Sequence, residues 1–144
     1  MKFLLFILLL CAIYSHNSTG QANGSSELTI TITDVKKFSG RIEIGIYNEH
    51  SNFLSTDGQF RVAFEEAKGD TVMSIIKDLP VGEYGIAVYH DENLDKECNK
   101  NIIGIPKEPY GFSKNFIPRL RKPKFKDIKI YFPEQSNISI KLRH

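Results

Sequence analysis

The sequence predicts an all-β fold, a single antiparallel β-sandwich of about seven strands with Greek-key connections and one long ordered loop insertion. Three observations carry this prediction. Apolar residues recur with a period of two in segment after segment. Turn residues (Gly, Pro, Asp, Asn) punctuate those segments at the spacing of short strands. No stretch shows the apolar stripe of period 3.6 that a core-facing helix requires.

The elements follow in chain order. Glu27-Leu28-Thr29-Ile30-Thr31-Ile32-Thr33 alternates without a fault, and Arg41-Ile42-Glu43-Ile44-Gly45-Ile46-Tyr47 does so again. Each reads as a half-buried strand with its isoleucines inward. The turn-rich stretch Asp34 to Gly40 between them makes the pair a hairpin, or near neighbours in one sheet. Phe60 to Phe64 is a weaker strand, and Thr71 to Lys77 a stronger one, rich in β-branched residues. Asp78-Leu79-Pro80-Val81-Gly82 is a turn, because Pro fixes φ and Gly accepts positive φ. Tyr84 to His90 is almost continuously apolar and reads as a central strand. Asp127 to Phe132 and Asn137 to Leu142 alternate again, with Pro133 in the turn between them.

From about Asp91 to Lys126 the pattern lapses. A loop of that length is rare in a compact domain and usually functional where it occurs. Its apolar residues (Ile102, Ile103, Ile105, Tyr110, Phe112, Phe116, Ile117 and Phe125) can pack. The segment is therefore expected to be an ordered excursion over one end or face of the sandwich.

The first residues bear on location. Lys2 precedes an unbroken apolar run from Phe3 to Ile13, and the chain then turns small and polar from Ser15 to Gly20. That is the layout of a secretory signal peptide, and the run is too short to span a bilayer. Residues 1–20 are expected to be a leader cut near Gly20–Gln21, with a cut after Ala22 as the alternative. Residues 21–26 then form a flexible tether and 27–144 the domain. Cys11 raises a rival reading, a lipidated N-terminus, although Leu10 stands where a small residue would precede such a Cys. The expected location is the periplasm, cell surface or exterior, with no transmembrane segment in the mature chain. Only Cys98 remains after the leader, so stability rests on packing without an internal disulfide.

Charge is nearly balanced but unevenly placed. Residues 21–106 hold 8 basic and 14 acidic residues, and residues 107–144 hold 10 and 3. The overall balance argues against a nucleic-acid partner. The two halves either attract one another or leave a basic patch facing an anionic envelope surface.

Several residues could carry chemistry. Asp91, Asn93 and Asp95 stand at alternate positions and are followed by Glu97, Asn99 and Asn101. Ca²⁺ takes several such oxygens together, so Asp91, Asn93, Asp95, Asn99 and Asn101 form a candidate metal set. The match to a helix-loop-helix calcium loop is poor, because Lys96 stands where that loop needs Gly and Ile102 where it needs Glu. The alternative is that these side chains cap turns and bind nearby amides. His90 beside Asp91 is a candidate ligand contact, and with Cys98 a conceivable nucleophilic pair, but nothing marks an oxyanion hole. Tyr110 and Phe112 around Gly111 offer an aromatic platform for a sugar ring or peptide. Arg119 and Arg121 open a basic run that could contact phosphate-bearing lipids or glycans. No Gly-x-Ser-x-Gly, His-Glu-x-x-His, phosphate loop or dinucleotide fingerprint occurs.

Three motifs together carry a family resemblance: Asp78-Leu79-Pro80-x-Gly82-x-Tyr84, His90-Asp91-Glu92-Asn93, and Gly104-Ile105-Pro106-Lys107-Glu108-x-Tyr110-Gly111-Phe112-Ser113. The chain resembles the bacterial domain-of-unknown-function family 2141 from about Leu28 to Leu142. The resemblance implies an exported β-sandwich of immunoglobulin-like or prealbumin-like type, and no established activity. In the acidic loop, Leu94 and Lys96 stand where the family has glycines, Asp95 where it has Asn, and Asn99 where a later Asp would fall. Loss of the glycines is expected to restrict the positive-φ conformations an ion-wrapping loop uses. Cys98 replaces an apolar family residue, so it reads as a packed side chain.

The expected function is a non-catalytic binding or interaction module of the cell envelope. It would use the 91–125 loop with His90, Tyr110, Phe112, Arg119 and Arg121, and act as a monomer on an envelope glycan, peptide or protein. The alternatives are a structural envelope domain pinned by Ca²⁺ and, further off, an enzyme using His90.

Overall fold

The structure, a computed structural model, describes residues 27–55, 57–102, 104, 106–119 and 121–144. The expected leader, its cleavage site, the tether and Cys11 lie outside the described residues, as do Ile103 and Ile105.

Among the described residues eight strands form two facing sheets. β1 (Leu28–Thr33) lies between β4 (Thr71–Ile76) and β8 (Asn137–Lys141) in a three-stranded sheet. The second sheet has the order β3 (Arg61–Glu66), β2 (Arg41–Tyr47), β5 (Gly82–Asp91) and β6 (Tyr110–Phe112), and β7 (Ile130–Phe132) also pairs with β5. Alternation decides which side chains meet between the sheets. Ile30 and Ile32 from β1 face Ile42, Ile44 and Ile46 from β2, and all five have no exposed surface. Burying a side chain of that size stabilises by roughly 1.5–3 kcal/mol. The fold is thus the all-β sandwich that the pattern predicts.

Two pairings differ from expectation. β1 and β2 are not a hairpin: the chain from Asp34 to Gly40 crosses between the sheets, and β1 instead pairs with β4. The sandwich is also not wholly antiparallel, since β1 runs parallel to β8 with Thr29 opposite Asn137 and Thr33 opposite Lys141. The Greek key is present. β2 and β3 pair, β4 follows beside β3 across the sandwich edge, and β5 returns beside β2. Ser74 donates to Glu65 at 2.8 Å across that edge. At the β4–β5 corner the Tyr84 hydroxyl donates to the Pro80 carbonyl at 2.9 Å. This is a tyrosine corner, the device that fixes the turn between sheets in Greek-key sandwiches. It gives the Asp78–Tyr84 motif a structural role.

The segment expected to be one strand from Asp127 to Phe132 is two elements. Asp127 accepts the Lys124 amide at 2.7 Å, which winds one helical turn, α1 (Phe125–Ile128), before β7 begins at Ile130. Ile128 and Ile130 are buried in both arrangements, so alternation alone could not separate them.

The Gly111-Phe112-Ser113 motif also has a physical account. β7 covers one part of the β5 edge (Gly82 to Tyr84) and β6 covers another (Ala87 to Tyr89). Between them Ile86 has no strand partner on that side. The fully buried Ser113 hydroxyl fills the gap, accepting the Ile86 amide at 3.1 Å and donating to the Ile128 carbonyl. Ser113→Ala leaves both groups buried without a partner, so we expect a loss of about 2 kcal/mol in urea unfolding at unchanged m-value. A loss indistinguishable from zero would show that water serves the gap equally well.

Candidate functional site

The excursion after β5 folds back over the outer face of the five-stranded sheet. Register places Glu43, Tyr89 and Tyr110 in one cross-strand row, and Gly45, Ala87 and Phe112 in the next. These residues alternate with the core isoleucines and therefore face away from them. The second row is small at Gly45 and Ala87, and the Tyr47 ring and Gln59 side chain lie over Gly45, where a Cβ would fall 3.0 Å from the ring. Lys96, Cys98, Lys100 and Pro106 from the start of the excursion and Pro118, Arg119, Arg121 and Pro123 from its end line the same space. Together they frame a groove of about 890 Å³, within the size range of small-ligand sites.

Tyr110, Phe112, Arg119 and Arg121 all line this groove. The Tyr110 and Phe112 rings meet edge to face with centroids 5.8 Å apart. Arg121 is tied to Asp127 at 2.6 Å, and that guanidinium holds the Asp127 carboxyl down at about 2. The floor residues are not among those the sequence singles out. The Tyr89 hydroxyl donates to Glu43 at 2.7 Å, and burial together with this carboxylate raises the phenol above its ordinary range. Tyr47 is pushed up to about 12, first by burial and then by the same Glu43. Lys96, Lys100 and Lys122 join the two arginines on the walls, while Glu97 adds a second carboxylate. A usable signal was present in the strands: Gly45 on β2 and Gly85 and Ala87 on β5 are small residues on the same parity as Glu43 and Tyr89.

His90 is not part of the groove. It has the parity of Ile86 and Val88 and no exposed surface, and its Nε2 donates to the Ser39 carbonyl at 2.7 Å. Among the described residues its Nδ1 has no hydrogen-bond partner, the Glu92 carboxylate lying 3.9 Å away. Cys98 lines the groove, and burial raises its thiol. His90 and Cys98 thus lie on opposite sides of the sheet and do not form a nucleophile–base pair.

The acidic loop is organised by its own backbone. Asp91, fully buried, accepts the Asp95 and Lys96 amides at 3.2 and 3.0 Å, and Arg41 approaches it at 3.5 Å. Asp95 accepts the Glu97 amide and the side-chain amides of Asn93 and Asn99. These bonds, Asn99 first, lower its carboxyl. Glu108 accepts the Glu92 and Asn99 amides at 3.1 Å each, while burial raises its carboxyl. The structure therefore brings Asp91, Asn93, Asp95 and Asn99 together through hydrogen bonds. Asn101 follows at the turn where Lys100 bridges Pro106, its carbonyl accepting the Gly104 amide at 2.9 Å. Among the described residues no group of three or more His, Cys, Asp and Glu could hold a metal ion. One expectation is overturned. Leu94 and Lys96 adopt left-handed backbone despite their side chains, with φ of 62° and 67°. The amides donated to Asp91 hold the loop in a shape that glycine would take more readily.

Two of the apolar residues expected to pack within the excursion do not. Ile102 is fully exposed and Ile117 half exposed. A second hollow of about 550 Å³ lies between β3 and β4, lined by Phe64, Glu66 and Met73. Its Glu66 carboxylate is already taken by Lys68, and it gathers none of the predicted residues.

Fold and site define an all-β sandwich with a ligand-sized groove built on one sheet face. The chain belongs to the family described as an uncharacterized protein conserved in bacteria (DUF2141), whose model matches residues 30–141. No curated protein and no solved structure matches the sequence. No helix among the described residues is long and apolar enough to cross a membrane.

Proposed function

We propose that this protein is an exported, non-catalytic binding module of the cell envelope whose ligand lies in the groove over β2, β5 and β6. One observation carries the reading. Four residues singled out from separate points of the chain (Tyr110, Phe112, Arg119 and Arg121) converge on a single groove of about 890 Å³. The leader-like first residues support the envelope location.

The test is a series of thermal melts of the purified protein with neutral saccharides, acidic saccharides, acidic peptides and anionic lipid vesicles. A ligand at 100-fold excess over its Kd stabilises by about 2.7 kcal/mol, which raises Tm by several degrees in a domain this size. The expected result is a rise with at least one class that disappears in Tyr110→Ala and in the exposed Arg119→Ala. No rise with any class, or a rise indifferent to both variants, would overturn the groove as the binding site.

A further inference from the structure

We infer that the groove takes an acidic saccharide, a sugar bearing a carboxylate or phosphate. This rests on the groove being the binding site. Three features narrow the ligand, and each excludes something different.

The first is charge. Lys96, Lys100, Arg119, Arg121 and Lys122 line the groove against the carboxylates of Glu43 and Glu97. Among the described residues, only Arg121 of the five makes an ion pair. Lys96 and Lys100 come from the start of the excursion and Arg119, Arg121 and Lys122 from its end, so both stretches bring positive charge to the groove. An uncharged ligand would leave this excess uncompensated as water is displaced.

The second is the floor. Glu43 accepts the Tyr89 hydroxyl and lies beside Tyr47. A ligand covering this carboxylate must bring donors, because burying a charge without hydrogen bonds is costly. Sugar hydroxyls are such donors. A fatty-acid tail has none, so an anionic lipid chain is disfavoured in the groove itself.

The third is the aromatic side. Tyr110 is half-buried on the first cross-strand row, beside Tyr89 and above the edge of Phe112. A sugar ring offers apolar C–H faces to such rings together with hydroxyls at its rim. A bare phosphate or carboxylate would reach the cationic walls but make nothing of this side. The acidic group thus belongs on the walls, the ring against Tyr110, and the hydroxyls on Glu43 and Tyr89.

The test is calorimetric titration of the full protein with trigalacturonate and with mannose 6-phosphate, the two sources of the acidic group. Trigalactose and mannose serve as uncharged counterparts, and inorganic phosphate, acetate and an oligoglutamate peptide as ring-free anions. The expected result is that at least one acidic saccharide binds at least tenfold tighter than both its uncharged counterpart and the ring-free anions. Exposed-cation variants Lys100→Gln and Lys122→Gln should each weaken it several-fold while leaving Tm of the free protein unchanged. Equal binding of the uncharged sugar overturns the charge argument and leaves the groove a neutral-sugar site. Equal or tighter binding of phosphate, acetate or oligoglutamate overturns the saccharide and leaves the groove an anion or peptide site. No binding by any probe, with no rise in the melting series, removes the groove reading as well.

Discussion

Gly111→Val is expected to lower the stability of the domain by about 3 kcal/mol, the upper end of the range for overfilling a packed core. Gly111 lies on β6 where that strand closes against β8. A Cβ there would sit 2.6 Å from Ile140 Cγ2 and 3.0 Å from the Lys141 carbonyl oxygen. Ile140 has no exposed surface, and the second obstacle is backbone, so neither yields cheaply. Tyr110 and Arg143 exchange two backbone hydrogen bonds at this edge, at 3.1 and 2.8 Å. Displacing β6 strains that bridge and tilts Tyr110 and Phe112 away from the groove. We therefore expect Tm to fall on the order of 10 °C, with ligand-dependent stabilisation falling too. Gly69→Ala, where the nearest heavy atom would be 3.7 Å away, is the control and should stay within about 0.5 kcal/mol of wild type. A Gly111→Val protein as stable as that control would mean that the sandwich edge can open without cost.

Asp91→Ala is expected to be comparably damaging, by about 3 kcal/mol, for an electrostatic reason. The carboxylate is fully buried and collects two backbone amides and Arg41. Removing it leaves two donors and a half-buried guanidinium without an acceptor. It also releases Leu94 and Lys96 from their left-handed backbone, so the start of the excursion should loosen. Urea unfolding measures the loss, and hydrogen exchange at the Asp95 and Lys96 amides locates it. Asp95→Asn, at the exposed tip, should be far milder. The same proteins melted with chelator and then with millimolar Ca²⁺ test the cation reading. The expected result is one Tm in both conditions, since the ion would have to displace the amides already bound by Asp91 and Asp95. A Ca²⁺-dependent rise that Asp95→Asn abolishes would overturn that expectation.

The strands were legible because alternation reports which residues face a core, and it did so at Ile30 and Ile32 as at Ile42, Ile44 and Ile46. Alternation does not report the neighbour. Thr29 and Thr31 look outward in the same way whether β1 pairs with β2, as expected, or with β4 and β8, as found. Pairing across long separations depends on how every other element packs, which no local pattern encodes. At Asp127 a side chain that binds the Lys124 amide overrode a faultless alternation. For the groove, the aromatic and basic residues were visible in the excursion, because they cluster together within one unusually long loop. Its floor was not. Tyr89 and Glu43 look like ordinary members of central strands until register sets them in one row. His90 misled because its neighbours are polar in sequence, whereas its parity on β5 turns it toward the core.

The parallel pairing of β1 with β8 decides how the molecule bears load. Tension applied before Leu28 and after Lys141 pulls these adjacent strands along their length in opposite directions. The hydrogen bonds joining Thr29 through Thr33 to Asn137 through Lys141 are then sheared together, not unzipped one after another. A domain held between two anchors through these strands resists extension as a rivet row does.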